Sequence, residues 1–232
     1  MNVIVTGASS GVGYELVKQL ILDDRVQKVI GIARRAEKLE ELAGIAASLG
    51  KGWKYIPLAC DVFEVTMDMI TDHIDRVDAL VNNAGLLINR HFNELTEEDF
   101  EQVYKVNVFA PARLTRLLKP LMGGERPSHI VNIGSMGGFQ GASKFPGLAA
   151  YSSSKSAIAG LSECLAEEFK DDNIKVNCLA FGAVQTEMLA KAFPGFQAPL
   201  TSAQMAEFVL DFTLNGHQYF NGKVLPVSSS TP

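Results

Sequence analysis

The chain alternates between short apolar runs and longer segments with helical spacing, and this alternation restricts its possible folds more than any other feature. Seven runs of four to eight residues predict β-strands: Val3–Thr6, Val26–Ala33, Trp53–Ala59, Ala79–Asn82, His129–Ile133, Val176–Ala180 and Lys223–Val227. Between them, apolar residues spaced three or four positions apart predict helices: Val12–Leu22, Ala36–Leu49, Leu95–Leu118, Tyr151–Phe169 and Thr201–Thr213. Strands joined by crossover helices pair in parallel. We therefore expect an α/β fold with a seven-stranded parallel sheet, doubly wound and flanked by helices on both faces.

Size and composition fit one such domain. The 232 residues, 47% of them hydrophobic and 20% charged, suffice for one large core, so we expect a single domain over residues 1–232. The net charge of -5 supplies no basic surface for phosphates, which argues against nucleic acid as a partner. Two prolines and a glycine interrupt the segment Ala190–Leu200, which we expect to form a loop and to serve as a lid.

The cysteines and the first residues bear on the compartment. Cys60, Cys164 and Cys178 are scattered and lack CxxC spacing, so neither a disulfide framework nor a metal site is predicted. Free thiols fit a reducing cytosol. The N-terminal segment has no basic region and only a few consecutive apolar residues, so we expect no signal peptide, no membrane span and a cytoplasmic location.

A glycine-rich turn follows the first predicted strand and opens the first helix. It reads Thr6-Gly7-Ala8-Ser9-Ser10-Gly11-Val12-Gly13. Gly7 permits a tight turn, Gly11 lets the backbone approach a pyrophosphate, and Gly13 lets the helix pack closely. Free N–H groups at the helix start attract the anion, and Ser9 and Ser10 add hydroxyl donors. This strand–turn–helix context predicts a Rossmann-type dinucleotide site, although glycines can also serve chain reversal alone.

The end of the second strand bears on which dinucleotide binds. A carboxylate there would hydrogen-bond the ribose of NAD, whereas this sequence has Arg34 and Arg35. Guanidinium groups form charge-assisted hydrogen bonds to a 2′-phosphate, so NADP(H) is the expected cofactor. The alternative is that both arginines are solvated and pair with Glu37 or Glu40.

Three polar residues form the candidate catalytic set. Tyr151 and Lys155 are four positions apart at the start of a predicted helix, so their side chains share one face. A tyrosine with a pKa near 10 needs that pKa lowered by about three units to exchange protons at neutral pH, and a nearby ammonium supplies about the free energy required. A pair with this spacing also arises by chance. Ser135 adds weight because it follows the fifth strand, at the edge where open α/β sheets bind ligands.

Five motifs occur together along the chain. They are TGASSGVG at Thr6–Gly13, NNAG at Asn82–Gly85, Asn107 within KVNV, Ser135, and YSSSK at Tyr151–Lys155. Their identity and order resemble the short-chain dehydrogenase/reductase family. The resemblance covers about Met1 to Thr186, and the last part of the chain is poorly matched by motif. It implies an oxidoreductase that acts on a small-molecule carbonyl or alcohol with a nicotinamide cofactor. With Arg34 and Arg35 after the second strand, the expected enzyme is NADP(H)-dependent, and no metal is predicted.

The resemblance also assigns roles. Tyr151 would be the general acid in reduction and the base in oxidation, while Ser135 would orient the substrate oxygen. Lys155 would lower the pKa of Tyr151 and hydrogen-bond the nicotinamide ribose, and Asn107 would hold a water of a proton relay. Further cofactor contacts would come from Asp61, Val62, Asn83, Ala84, Gly85, Gly182, Val184 and Thr186. From the residues alone, Asp61 could equally cap the next helix, Asn83 could stabilise a strand end, and Asn107 could be a satisfied mid-helix amide.

Some features depart from the family pattern or leave questions open. The interval from Ser135 to Tyr151 is 16 positions, longer than usual, and Phe181 replaces the family proline before Gly182. An apolar substrate pocket is suggested by five residues: Phe139, Phe145, Met188, Phe193 and Phe196. Apolar positions on the helices Leu95–Leu118 and Tyr151–Phe169 predict a homodimer or homotetramer. The main expectation is a carbonyl reductase, and the alternative is a catalytically idle NADPH-binding sensor.

Overall fold

The structure is a computed structural model and describes residues 1–229. Its strands are β1 (Asn2–Thr6), β2 (Lys28–Ala33), β3 (Tyr55–Ala59), β4 (Ala79–Asn82), β5 (Ser128–Ser135), β6 (Ile174–Phe181), β7 (Val184–Gln185), β8 (Leu200–Thr201) and β9 (Val224–Val227). Its α-helices are α1 (Gly11–Leu22), α2 (Ala36–Ser48), α3 (Asp68–Thr71), α4 (Glu97–Tyr104), α5 (Ala110–Leu118), α6 (Ala149–Glu168), α7 (Glu187–Ala192) and α8 (Ser202–Asn215).

Seven strands form one parallel sheet in the order β3-β2-β1-β4-β5-β6-β9. The predicted single-domain, doubly wound Rossmann architecture is therefore confirmed. The chain direction across the sheet reverses between β1 and β4, so the loops that leave these strands diverge and open a crevice. Ligands bind at such a switch point, outside the carboxyl ends of the strands.

The core lies on both faces of the sheet. Successive residues of β1 are fully buried but point to opposite sides: Val3 and Val5 pack with α1, α2 and α8, whereas Ile4 packs with α3 and α5. Each fully buried residue of this size contributes about 1.5–3 kcal/mol relative to an exposed one. Two-sided burial explains why the strands are continuous apolar runs rather than alternating ones.

The predicted helix Leu95–Leu118 is not one regular helix. Thr96 caps α4 through a capping box with Asp99, so α4 begins at Glu97. Between α4 and α5 the segment Lys105–Phe109 forms a π-turn. Pro111 lies in the first turn of α5 and has no N–H to donate to the carbonyl four residues earlier, which favours this wider turn. The carbonyl concerned belongs to Asn107, one of the candidate site residues.

The expected loop Ala190–Leu200 is partly wrong. Its first residues belong to α7, which begins at Glu187 because the Thr186 side chain accepts a hydrogen bond from the Leu189 N–H. The segment is also bracketed by a small two-stranded sheet in which β7 pairs with β8. Helix α7 thereby lies at the mouth of the crevice with its start fixed by a local cap.

Candidate functional site

The glycine-rich turn joins β1 to α1 and is tied to β4. Gly7 has a φ of 69°, which favours glycine, and its N–H donates to the Ile32 carbonyl at 2.9 Å. The Thr6 hydroxyl accepts from the N–H groups of Asn83 at 3.1 Å and Ala84 at 3.0 Å. A Cβ on Gly13 would clash with the Gly7 carbonyl oxygen and the Asn83 side chain. Gly13 is thus required for close packing, as its position in the motif predicts.

A cleft of about 720 Å³ runs along the carboxyl ends of the strands. Its volume falls within the range of cofactor and ligand sites. Most of the predicted site residues line it: Gly7, Ser9, Ser10, Gly11, Val12, Arg34, Arg35, Asp61, Val62, Asn83, Ala84, Gly85, Ser135, Tyr151, Lys155, Gly182, Val184 and Thr186. Thr6, Gly13 and Asn107 lie behind this lining and support it. Phe181 and Met188 also line the cleft, whereas Phe139, Phe145, Phe193 and Phe196 do not.

The two arginines after β2 lie at one end of the cleft. Arg35 donates from Nε to the Ser9 hydroxyl at 3.3 Å and from Nη2 to the Ser9 carbonyl at 3.1 Å. Its Nη1 forms an ion pair with Glu187 at 3.2 Å. The alternative pairing with Glu37 or Glu40 is therefore wrong for Arg35. Arg34 lines the cleft as an exposed side chain.

Asp61 both caps a short helical turn and lines the cleft. Its carboxylate accepts from the Phe63 N–H at 2.9 Å, and its own N–H donates to the Glu64 carboxylate at 3.0 Å. The capping alternative is correct for the side chain. Arg113 of α5 fixes the same turn, because its guanidinium donates to the carbonyls of Val62 at 3.1 Å and Val65 at 3.0 Å.

Tyr151 and Ser135 meet where β5 ends and α6 begins. The Ser135 hydroxyl lies close enough to that of Tyr151 to affect its pKa, and the Ser135 oxygen accepts from the Gly137 N–H at 3.1 Å. Burial raises the pKa of Tyr151 above its usual value, and the Ser135 hydrogen bond opposes the rise. The pKa of Tyr151 in the chain alone thus moves opposite to the sequence-based expectation, because desolvation outweighs the other contributions.

Lys155 extends along the same helix face into the cleft. Its ammonium donates to the Ile133 carbonyl at 2.7 Å and lies 5.8 Å from the centroid of the Tyr151 ring. Burial lowers the pKa of Lys155 to about 8. A Cβ on Gly85 would lie 3.7 Å from this ammonium, so the glycine keeps the space beside it open. Tyrosine, serine and lysine therefore converge at one end of the cleft, as their positions in the sequence predict.

Asn107 projects from the π-turn towards α6 and the loop after β4. Its side-chain oxygen accepts from the Leu86 N–H at 2.8 Å, and its amide donates to the Leu86 carbonyl and the Ser154 hydroxyl, both at 2.9 Å. The alternative of a hydrogen-bonded helix amide is correct. These bonds link the π-turn to the helix that carries Tyr151. The side-chain carbonyl oxygen of Asn107 has a second lone pair, which can accept a hydrogen bond from a further donor.

Several residues that shape the site were not predicted from the sequence. Glu187 and Arg113 were not singled out, because their partners are 152 and about 50 positions away in the chain. Also missed was a buried polar chain in which Asn82 donates to Asn132 at 2.8 Å and Asn132 donates to Ser162 at 2.8 Å. Asn82 and Asn132 at the ends of adjacent predicted parallel strands are the one signal that could have indicated this chain.

The described part of the chain has neither a cluster of metal-ligating side chains nor a helix that could cross a membrane. Within residues 1–229, no set of three or more His, Cys, Asp or Glu side chains is grouped so that it could hold a metal ion. Over the same residues, every helix is too short or too polar to cross a membrane.

Comparison with known proteins assigns the family. The profile of the short chain dehydrogenase family matches residues 1–195, most of the chain. The chain belongs to the short-chain dehydrogenase/reductase family. The resemblance carried by the five motifs is thereby confirmed.

Similar proteins cover nearly the whole chain. Nodulation protein G from Rhizobium sp. strain N33 is 33% identical, over 97% of this chain and 94% of the relative. A short chain dehydrogenase from Escherichia coli CFT073, solved with NADPH, is 29% identical with a TM-score of 0.84, over 97% of this chain and 95% of that one. A 3-oxoacyl-(acyl-carrier protein) reductase from Brucella melitensis, solved with NAD, is 26% identical with a TM-score of 0.82, over 99% and 90%. Family members that share this architecture thus include both NADPH and NAD complexes.

Proposed function

We propose that this short-chain dehydrogenase/reductase is an NADP(H)-dependent enzyme that interconverts a small-molecule carbonyl and its alcohol, and that it acts as a carbonyl reductase. The observation that carries the proposal is the convergence of Tyr151, Ser135 and Lys155 at one end of the cleft that begins at the glycine-rich turn. When bound, the nicotinamide supplies or accepts the hydride. The protein residues then have to bind the dinucleotide, orient the substrate oxygen and move one proton.

The residues of the cleft suit a dinucleotide. The glycine-rich turn presents the start of α1, where free N–H groups favour a pyrophosphate. Asp61 and Val62 lie towards the adenine end, and Asn83, Ala84 and Gly85 line the middle. The loop after β6 contributes Gly182, Val184 and Thr186. These residues form a continuous lining from the arginines to the tyrosine.

The choice of NADP(H) over NAD(H) rests on the arginines. The end of β2 carries no carboxylate for a ribose hydroxyl, and Arg34 and Arg35 line the cleft directly after it. Two guanidinium groups at this position attract a 2′-phosphate. The relatives do not decide the matter, since one neighbour was solved with NADPH and another with NAD.

Tyr151 is the group that we propose to transfer the proton. Burial raises the pKa of Tyr151, so at neutral pH it carries the proton that reduction requires at the carbonyl oxygen. Ser135 donates a hydrogen bond that stabilises the phenolate formed after transfer. A serine hydroxyl donates one hydrogen bond at a time, so before proton transfer the same Ser135 hydrogen is available to orient the substrate oxygen.

Lys155 and Asn107 would restore the proton. With a pKa of about 8, Lys155 is mainly an ammonium at pH 7 and provides positive charge near the Tyr151 ring. One of its three hydrogens is held by the Ile133 carbonyl, which leaves two for a ribose and a relay. Asn107 fixes the neighbouring loop and α6, and we propose that it holds the relay water.

Turnover measurements test the proposal directly. The purified chain is assayed with NADPH and NADH against aldehydes, ketones, diketones and quinones. We expect NADPH oxidation with at least one class, and a loss of about a hundredfold or more in kcat for Tyr151→Phe with NADPH binding retained. The enzymatic proposal would be contradicted if the chain bound NADPH but turned over no substrate and Tyr151→Phe had no effect. That result would support the alternative of an NADPH-binding sensor.

Assembly and location complete the proposal. Large apolar side chains are exposed at Phe109, after α4, and at Phe92, before it, which supports a homodimer or homotetramer through this face. Sedimentation tests this, and a sole species near 25.1 kDa would contradict it. The cysteines Cys60, Cys164 and Cys178 are all free, which supports a reducing compartment such as the cytoplasm.

A further inference from the structure

An ion pair crosses the cleft at its adenosine end. Arg35, directly after β2, and Glu187, the first residue of α7, are 152 positions apart and meet at 3.2 Å. Both residues line the cleft. We propose that Glu187 is a specificity-determining residue for the cofactor, because its carboxylate competes with a 2′-phosphate for Arg35. The inference rests on the proposed use of Arg35 for NADP(H).

The hydrogen bonds of Arg35 show what Glu187 occupies. A guanidinium has five N–H donors. Two of them bind Ser9, through its hydroxyl and its carbonyl, and so hold the group against the glycine-rich turn. A third binds Glu187, the one anionic partner of Arg35 in residues 1–229. Two donors remain, so a phosphate approaching Arg35 meets a guanidinium whose charge is already partly neutralised.

The position of Glu187 is fixed by packing of the chain around it. The preceding residue, Thr186, caps α7 and lies against the glycine-rich turn, where a Cβ on Gly11 would be 3.2 Å from the Thr186 methyl group. The Glu187 side chain is 70% exposed, so it can turn into solvent without leaving a buried charge. A bound 2′-phosphate would have to displace this carboxylate from Arg35, and it would still lie near a like charge, because the start of α7 holds the Glu187 backbone at the cleft edge. Glu187 therefore weakens the preference that Arg35 creates.

Binding of cofactor fragments tests this without turnover. Adenosine 2′,5′-bisphosphate and 5′-AMP differ by the 2′-phosphate alone, and their dissociation constants are measured by calorimetry for wild type and Glu187→Gln. We expect Glu187→Gln to bind the bisphosphate about two- to fivefold more tightly and 5′-AMP equally well, the range for an exposed ion pair. The gain should disappear in an Arg35→Met background and shrink at high salt.

The matched control is Glu37→Gln, which removes the same charge two residues after Arg35. Glu37 is exposed and forms no ion pair or side-chain hydrogen bond within the described chain, so its substitution should leave both dissociation constants unchanged. Unchanged or weaker bisphosphate binding by Glu187→Gln overturns the inference, as does an equal gain in Glu37→Gln. If wild type binds the two fragments equally, the proposed preference for NADP(H) is contradicted. If Glu187→Gln alone then prefers the bisphosphate over 5′-AMP, the inference about Glu187 is still supported.

Discussion

At the scale of single residues, Gly13 shows how little space the glycine-rich turn leaves for a side chain. A methyl group there would meet at once the Gly7 carbonyl oxygen, within the turn, and the Asn83 side-chain amide, in the loop after β4. We expect Gly13→Ala to lower the free energy of unfolding by about 1–3 kcal/mol and to weaken NADPH binding, because the clash displaces the turn. Urea unfolding and calorimetry measure the two effects.

Gly44→Ala is the matched control for this substitution. Gly44 lies within α2, and a Cβ there would meet no atom within 4 Å. Alanine in a helix interior is favoured over glycine by about 0.5–1 kcal/mol, so Gly44→Ala should stabilise the protein without affecting the cofactor. Equal stability of Gly13→Ala and wild type would show that the turn adapts to a side chain.

Lys155 gives a second prediction at this scale. With a pKa of about 8, its ammonium loses a proton as the pH rises through this value, and the positive charge near Tyr151 is lost. We expect kcat/KM for carbonyl reduction to fall above pH 8 and to be highest below it. Lys155→Met should lower kcat/KM about a hundredfold or more and should remove its fall above pH 8. If Lys155→Met still shows the fall in kcat/KM above pH 8, the fall reflects the titration of another group.

At the scale of elements, α5 supports through Arg113 the end of the cleft where we propose that the adenine binds. Its two hydrogen bonds fix the carbonyls of Val62 and Val65, beside Asp61. We expect Arg113→Met to raise KM for NADPH about three- to tenfold with kcat nearly unchanged, because the turn loses charge-assisted bonds far from the reacting atoms. Arg116→Met on the exposed face of α5 is the control and should leave KM unchanged. A fall in kcat alone for Arg113→Met would contradict this role.

The elements also show which parts of the structure the sequence could predict. All seven strands of the large sheet were found. Burial of both faces makes the inner strands apolar runs, and the edge strands β3 and β9 keep an apolar sequence although they are only partly buried. The π-turn at Lys105–Phe109 was missed, since the apolar spacing continues through it and only Pro111 marks the lost donor. The start of α7 was missed because Pro194 and Gly195 dominate the local pattern, while Thr186 supplies the cap.

The candidate site was predictable where it depends on strand ends. Ser135 and Tyr151 end one element and begin the next, so the topology alone brings them to the same edge. The partner of Arg35 was not predictable in this way. Glu187 reaches it only because the loop after β6 folds back over the glycine-rich turn, and no local pattern encodes that return.

At the scale of the whole molecule, β5 and β6 carry buried polar groups on both faces of the sheet. On the face towards α6, Asn132 joins the chain from Asn82 to Ser162. On the opposite face His129 lies against α8, fully buried, and joins β5 to β6 and to the end of that helix. Buried groups of this kind are stable only while every bond is kept. The stability of the whole fold should therefore depend on the protonation of His129.

His129 leads to a prediction about acid stability. Its Nδ1 donates to the Thr213 carbonyl at 3.1 Å, and its Nε2 accepts from the Asn177 amide at 3.0 Å, so the neutral ring satisfies both partners. Burial lowers the pKa of His129 to about 4, whereas an unfolded chain has a pKa near 6.5. Between pH 6.5 and pH 4, His129 is protonated in the unfolded state but stays mostly neutral in the folded state. Stability is thus complete above pH 6.5 and falls by about 3 kcal/mol as the pH drops towards 4.

Urea unfolding at several pH values measures this loss. His129→Gln should be less stable than wild type at pH 7, because its amide fits the two partners less well, yet it should lose less stability between pH 6.5 and 4. His73→Gln removes an exposed histidine and should retain the wild-type slope. His217, whose pKa burial also lowers and whose ring lies 5.7 Å from that of His129, can contribute to the residual slope. An identical slope for His129→Gln and wild type would place the acid sensitivity elsewhere, among the carboxylates that the native fold holds in ion pairs.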